Sequence, residues 1–409
     1  MAELTYAKTP SDLEEVADLV AKTFARQSYF DFFERRMRYQ QMDPWFKPEH
    51  SRIIREDGRI VSHVSIIEKR VHFGPVVVPV AGIGDVCTHP GARGKGYARL
   101  LMEDALRYMR EHGYPLSMLY GIPKFYHKFG YIEAVRDYRL TLMAPDLPEK
   151  PPQYTARPLR PEDLPAVMRL YRKNFSAHLL TVARNERYWQ RITGQPDRFL
   201  VVENASGEIG AYAHLWDEYS RKFVVNEAAT DGWESSVALL HAVLERAPRE
   251  LCGRLEVRMP PKVLFIRHIR ELGSEMTIRT YAEGEGQGML ALLGLVNLLS
   301  QIRPLLEERL AGSRFSGFSG RLVIQTESER VALEFREGKI RVQEMKLVDP
   351  VEPDLYAEAR YLVRNLVGFW SIGDALQQGR ISVSGAEARD VLEVLFPEED
   401  PYMFFADYF

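Results

Sequence analysis

Two glycines spaced by one residue among basic side chains, Arg93-Gly94-Lys95-Gly96, stand where a β-rich run gives way to a helix. The surrounding stretch reads GDVCTHPGARGKGYARLLM, Gly84 to Met102. Successive backbone N–H groups at such a turn, backed by the positive end of a helix dipole, form a pocket for a pyrophosphate. Gly94 and Gly96 let the backbone come close, because a side chain at either would hold the phosphates away. Arg93 and Lys95 add positive charge at the mouth. The turn is not GxGxxG in form and lacks the GK[ST] of a P-loop, so neither a dinucleotide nor a nucleoside triphosphate is the natural ligand. The bland alternative is an αβ corner with a solvated basic turn.

The elements that must carry this turn are legible on either side of it. PSDLEEVADLVAKTF reads as an amphipathic helix with Ser11 as N-cap. GRIVSHVSIIEKRVHFGPVVVPVAGIGDVCTH alternates, turns at Phe73-Gly74-Pro75 and continues as β-rich sequence. YARLLMEDALRYMREHG is a second helix that Gly113 stops. A proline-rich stretch, APDLPEKPPQYTARP (144–158), marks a linker, and YAEGEGQG (281–288) marks a second boundary. Between them the helix–strand–helix order repeats more faintly, as two related domains rather than a solenoid. In the repeat the turn is replaced by NEAATDGWESSVALL, with one glycine, no arginine and acids that would repel a pyrophosphate. The third segment opens on an apolar stretch, GMLALLGLVNLL, read as helical, and continues into antiparallel strands and two closing helices.

Composition narrows the class. A chain of 409 residues predicts two or three domains. With 45% hydrophobic and 27% charged residues it is that of a soluble globular protein. A net charge of −3 offers no electrostatic case for nucleic acid or an anionic membrane. Cys87 and Cys252 are the only cysteines and lie far apart, which argues against a disulfide framework or a cysteine metal site. The N-terminus carries acids and no apolar signal core, and the longest apolar run is too short to span a bilayer. A cytoplasmic enzyme or binding protein is the expectation.

The strand–turn–helix stretch resembles the acetyl-CoA motif [RQ]xxGx[GA] of the GNAT superfamily of N-acetyltransferases, matched here at Arg93-Gly94-Lys95-Gly96-Tyr97-Ala98. That resemblance implies that Val86, Cys87 and Thr88 pair with the pantetheine arm and aim a backbone N–H at the thioester carbonyl. It makes Arg93, Gly94, Lys95, Gly96, Tyr97, Ala98 and Arg99 cofactor-binding residues, together with Gly121 and Ile122. GIPKFYHKFGY (121–131) is similar to the segment where a GNAT helix leads a tyrosine toward the cofactor thiol, which makes Tyr126 the expected general acid. A phenol of pKa about 10 can supply a proton to a thiolate whose thiol has a pKa near 8.5. Phe129 and Tyr131 read as core aromatics, and His89, His112 and His127 as surface or packing residues.

Taken whole, the chain resembles the enhanced-intracellular-survival (Eis) type acetyltransferases. The fold expected is α/β (α+β): two GNAT-like domains with mixed central sheets, then a sterol-carrier-like α/β domain. The expected boundaries are 1–150 for the acetyl-CoA-binding domain, 151–283 for the degenerate copy and 284–409 for the third. The resemblance implies a homo-oligomer (a hexamer), no metal, and the terminal carboxylate of Phe409 as general base. On that reading the aromatic tail PYMFFADYF plugs the end of the chain to hold one carboxylate still. An α-carboxylate, with a pKa near 3.3–3.7, is a feeble base that desolvation strengthens. The acceptor is a primary amine, on an aminoglycoside-like small molecule or a lysine, attacked directly in a ternary complex. This sequence departs from the aminoglycoside-modifying pattern: Tyr408, not an acid, precedes the last residue, and DFFERRMRYQQMDPWF is as basic as it is acidic. The competing class is a non-catalytic acyl-CoA or lipid-binding module.

Overall fold

The structure, a computed structural model, describes residues 2–25, 28–143, 147–217, 223–247 and 254–409. Cys252 and the first three residues of the proline-rich linker lie outside the described residues. Contacts divide the chain into two units. One holds the residues up to Val135, Tyr281–Pro401 and Phe409; the other holds Arg136–Thr280 and Tyr402–Tyr408.

The first unit is built on a seven-stranded mixed sheet. Strands β1 (Ala2–Tyr6), β2 (Ser51–Glu56), β3 (Arg59–Phe73) and β4 (Val76–Thr88) form an antiparallel run. β5 (Leu116–Gly121) joins β4 in parallel, and β6 (Ile132–Glu133) closes the far edge. Helix α1 (Pro10–Phe24) starts where its pattern places it, but the cap is Thr9 rather than Ser11. Pro10 takes the first helical position, so the hydroxyl that reaches the Asp12 N–H is that of Thr9, at 3.1 Å. Helix α2 (Tyr29–Met42) follows. Helix α3 (Tyr97–Glu111) packs Leu101, Met102 and Ala105 on Ala81 and Ile83 of β4. Val16, Leu19 and Val20 of α1 gather on Cys87 and Ile53, on the opposite face.

The second unit repeats the plan. Its strands are β7 (Asp137–Met143), β8 (Thr155–Pro158), β9 (Phe199–Glu203), β10 (Ile209–Asp217), β11 (Phe223–Thr230), β12 (Arg254–Val257) and β13 (Ser274–Arg279). They are ordered β13-β7-β12-β11-β10-β9-β8, with β11 and β12 the parallel pair. Helices α4 (Leu164–Phe175), α5 (Glu186–Ile192), α6 (Trp233–Arg246) and α7 (Leu264–Ile269) accompany this sheet, and α6 stands between β11 and β12 as α3 does between β4 and β5.

Long-range pairing overrides the boundaries suggested by composition. β7 precedes the linker yet lies between β12 and β13, so by contact the second unit begins at Arg136 rather than beyond residue 150. The seventh strand of the first sheet, β14 (Gln287–Leu292), comes from the apolar stretch read as helical, and inserts between β5 and β6. A short apolar run has no period that separates strand from helix; a strand buried on both faces satisfies it equally well. Helix α8 (Leu295–Ala311) begins only afterwards. A five-stranded sheet then forms from β15 (Gly320–Gln325), β16 (Arg330–Arg336), β17 (Lys339–Met345), β18 (Leu355–Ala357) and β19 (Ile381–Val383). Helices α9 (Ala359–Leu366), α10 (Ile372–Gln377) and α11 (Ala386–Leu395) complete the chain's regular structure. By contact all of this belongs with the first unit.

The tail residues Tyr402 and Phe404 belong to the second unit's core, with Phe404 against Phe175 at 4.6 Å between ring centres. Beside them Arg184 lies fully buried between two carboxylates. It donates to Asp407 at 2.9 and 2.8 Å and to Glu227 at 2.9 and 2.6 Å, while the Tyr212 hydroxyl donates to Glu227 at 2.6 Å. Such a cluster is stable only while its cation is present, because each carboxylate would otherwise be an unpaired buried charge. Arg184→Met should therefore cost about 3–5 kcal/mol, read as a lowered urea midpoint of this unit. An unchanged midpoint would remove Arg184 as the anchor of the tail.

Candidate active site

The β3–β4 hairpin holds a regular register from Phe73↔Val76 to Ser65↔Gly84 and then slips by one residue. Asp85, at φ 49°, is the extra residue of a β-bulge. The bulge reverses which residues face which neighbour. Upstream, the Ala81 carbonyl accepts from Ser117 of β5 at 2.6 Å. Downstream, the His89 N–H donates to Val61 at 2.8 Å and the Cys87 carbonyl accepts from Ser62 at 3.0 Å, so Cys87 faces β3. Val86 and Thr88 therefore turn their backbone groups toward β5. There β5 does not meet them, since β4–β5 pairing stops at Gly82↔Met118. The result is an open backbone edge in the middle of a sheet, a place where an extended ligand can pair like a strand.

At the end of this edge the chain enters α3. Gly94 and Gly96 have φ of 81° and 78°, a region side chains rarely adopt, and the space where their Cβ atoms would sit is open. Leu100 makes the first intrahelical bond, to Gly96, at 3.1 Å, so the N–H groups of Tyr97, Ala98 and Arg99 have no acceptor within the helix. Free N–H groups at a helix start favour an anion. The cations beside it differ in availability. Lys95 is held by Glu56 at 2.7 Å, Arg99 pairs with Glu103 at 2.8 Å, and exposed Arg93 touches the Thr88 carbonyl at 3.4 Å. In the second unit an acid stands at the corresponding place: the Gly232 N–H donates to Ser235 Oγ at 3.2 Å, and that hydroxyl donates to Asp231 at 2.6 Å, just before α6.

Tyr126 opens a single 3₁₀ turn, Tyr126–Phe129, rather than a helix. Its ring lies on Gly121, where an added Cβ would come within 2.6 Å of Tyr126 Cδ2. It joins the cluster on the α3 face of the sheet, with Tyr131 and Phe129 beside it. Burial pushes its phenol up to about 12. Among the described residues no hydrogen-bond partner is found for its hydroxyl, whereas the Tyr131 hydroxyl is tied to Ser117 at 2.7 Å. His127 Nε2 lies 3.0 Å from the buried Glu133 carboxylate and 3.0 Å from the Gly284 N–H. Ile122, beyond Gly121, is 63% exposed.

Phe409 lies on the opposite face. The ring fills the space above Gly82, where a Cβ would fall 1.9 Å from Phe409 Cδ1, and its carboxyl carbon stands 3.1 Å from the corresponding point on Gly84. Gly82 and Gly84 were not singled out by sequence reasoning, although paired glycines on one face of a strand signal close approach by another group. Asp85 was missed as well, since a bulge leaves no trace in composition. Cys87 departs from the reading that placed it on the cofactor. Its backbone faces β3, its side chain is buried against α1, and burial pushes the thiol up to about 12.

Residues 6–134 match the acetyltransferase (GNAT) domain family. No curated protein matches the chain. Three solved structures share its fold over its full length. A conserved protein of Enterococcus faecalis, described as a probable N-acyltransferase, is 17% identical with a TM-score of 0.76, covering 100% of both chains. A GCN5-related N-acetyltransferase from Anabaena variabilis is 16% identical with a TM-score of 0.75, again over 100% of both chains. Eis1 from Mycobacterium abscessus is 15% identical with a TM-score of 0.65, also over 100% of each. The family match falls on the domain that holds the open edge, and the family is described as an acetyltransferase domain.

Two outcomes follow from this geometry. Cys87→Ala should keep turnover within a few-fold, and mass spectrometry of the wild type with acetyl-CoA should find no acetylated Cys87, because a thiol with a pKa near 12 is not a nucleophile at neutral pH. Gly82→Ala should lower kcat about 100-fold, since it forces Phe409 to move by an ångström or more. Wild-type kcat in Gly82→Ala would show that the position of Phe409 is irrelevant to catalysis.

Proposed function

We propose that this N-acetyltransferase moves an acetyl group from acetyl-CoA directly to a primary amine, with Tyr126 as general acid and the Phe409 carboxylate as general base. The observation that carries the reading is the placement of Tyr126 and Phe409 on opposite faces of the sheet beside the unpaired β4 edge. In an acyl transfer the attacking and departing groups need proton acceptor and donor on different sides of the reacting carbonyl, and this arrangement supplies both.

Each residue then has a defined task. The N–H groups of Val86 and Thr88 pair with the pantetheine arm and stabilise negative charge as it develops on the carbonyl oxygen. The first turn of α3, with Gly94, Gly96 and Arg93, binds the phosphates. The Phe409 carboxylate takes a proton from the attacking ammonium, through a water where the reach is long. Tyr126 gives its proton to the departing sulfur as the carbon–sulfur bond breaks, and its high pKa keeps it protonated through the working range. The acceptor is an aminoglycoside-like small molecule or a lysine side chain.

The same reading takes the second unit as a GNAT copy without cofactor, supported by the Asp231 carboxylate that stands at the start of α6. It takes the five-stranded sheet as a sterol-carrier-like domain and the assembly as a homo-hexamer, both by resemblance; sedimentation measures the latter. No helix among the described residues is long and apolar enough to cross a membrane.

Tyr126→Phe should lower kcat about 100-fold or more with little change in acetyl-CoA affinity. Extension of the chain by a few residues beyond Phe409 should abolish turnover while leaving affinity intact. The rate should show no alkaline loss from Tyr126 below about pH 10, since a phenol with a pKa near 12 stays protonated there. Thiol release from acetyl-CoA with a panel of amines is the assay. Tight acyl-CoA binding without thiol release for any amine would instead favour the binding-module reading.

A further inference from the structure

We propose that His63 is a positioning residue: its Nδ1–H, bonded to the Asp85 carbonyl, holds the β4 bulge in the register that turns Val86 and Thr88 toward the open edge. The inference rests on the reading of that edge as the acetyl-CoA site.

The bulge is a conformation that has to be held. Asp85 is a non-glycine residue at φ 49°, and its carbonyl has left the ladder to point into the covered face of the sheet. A carbonyl can only accept, so the contact of 3.2 Å from His63 Nδ1 fixes the proton on that nitrogen. His63 Nε2 then carries a bare lone pair, and it is fully buried without a partner. A histidine that leaves one ring nitrogen unsatisfied is a poor choice for packing alone, since an apolar side chain would carry no such penalty. What an apolar side chain could not do is donate to Asp85.

The other restraints act on the same residue from two elements. Arg36 of α2, itself buried, reaches the Asp85 carboxylate at 3.0 Å, and Ser65 of β3 donates to it at 3.3 Å. Backbone and side chain of Asp85 are thus gripped separately, the carbonyl by His63. The ionisable groups around the imidazole are Asp85, Arg36 and the thiol of Cys87. Burial, reinforced by Arg36, keeps His63 neutral, so its single proton stays on Nδ1.

Loss of this bond has a definite consequence. A strand that returns to a regular ladder shifts by one residue, and every group beyond the shift changes sides. Cys87 would then face the open edge, and Val86 and Thr88 would turn to β3.

Amide hydrogen exchange, followed by NMR on protein labelled at valine, cysteine and threonine, reads this directly and without any activity. In the wild type, Cys87 should be protected and Val86 and Thr88 should exchange at least tenfold faster. His63→Asn, which retains an N–H donor, should keep that pattern. His63→Leu, of similar shape without the donor, should lose or invert it, and should weaken coenzyme A binding about tenfold by calorimetry. An unchanged exchange pattern in His63→Leu overturns the proposal. So does an altered pattern in His63→Asn, which decides the matter should the leucine variant fail to fold. Failure of the wild type to bind coenzyme A, with the exchange pattern as expected, would count against the functional reading and leave the role of His63 standing.

Discussion

A strand inside a sheet normally has both its edges taken, and an unpaired backbone edge there is costly. β4 leaves half of one edge open, from Ile83 onward, while its other edge stays bonded to β3 as far as Thr88. Everything at the candidate site depends on that break. It exposes Val86 and Thr88 and leads directly to the glycine turn at the start of α3. Gly82, where the break begins, is also where the Phe409 ring rests. Closing the gap by regular pairing would remove the site without deleting a single functional side chain.

The chemistry follows from which face each group occupies. Ala81 and Ile83 belong to the cluster beneath α3, so Gly82 and Gly84 face the other way. Tyr126 shares the α3 side, where desolvation makes it a persistent proton donor. Phe409 takes the glycine side, where the absence of side chains on β4 brings its carboxyl carbon against the backbone. Cys87 has the element type of a nucleophile but neither the exposure nor the ionisation.

Much of the local architecture was legible because it is written in short-range terms. The period of α3, the glycines whose positive φ the turn needs and the core roles of Phe129 and Tyr131 can all be read from neighbours in sequence. The bulge at Asp85 could not be read this way, because it is a mismatch between two strands and not a property of either. The strand Gln287–Leu292 was hidden for a related reason: its apolar run fits a helix or a doubly buried strand, and only the vacancy between β5 and β6 decides.

The tail shows the same division. The sequence by itself determined that PYMFFADYF carries too much apolar surface to remain in water. Tertiary structure decided where these go: Tyr402 and Phe404 into the second unit's core, Asp407 onto Arg184, and Phe409 onto the glycines of β4. Hydrophobicity is a property of one residue and can be summed along a chain. A buried ion pair and a ring seated on a glycine are properties of two residues far apart in sequence, and only the fold brings them together.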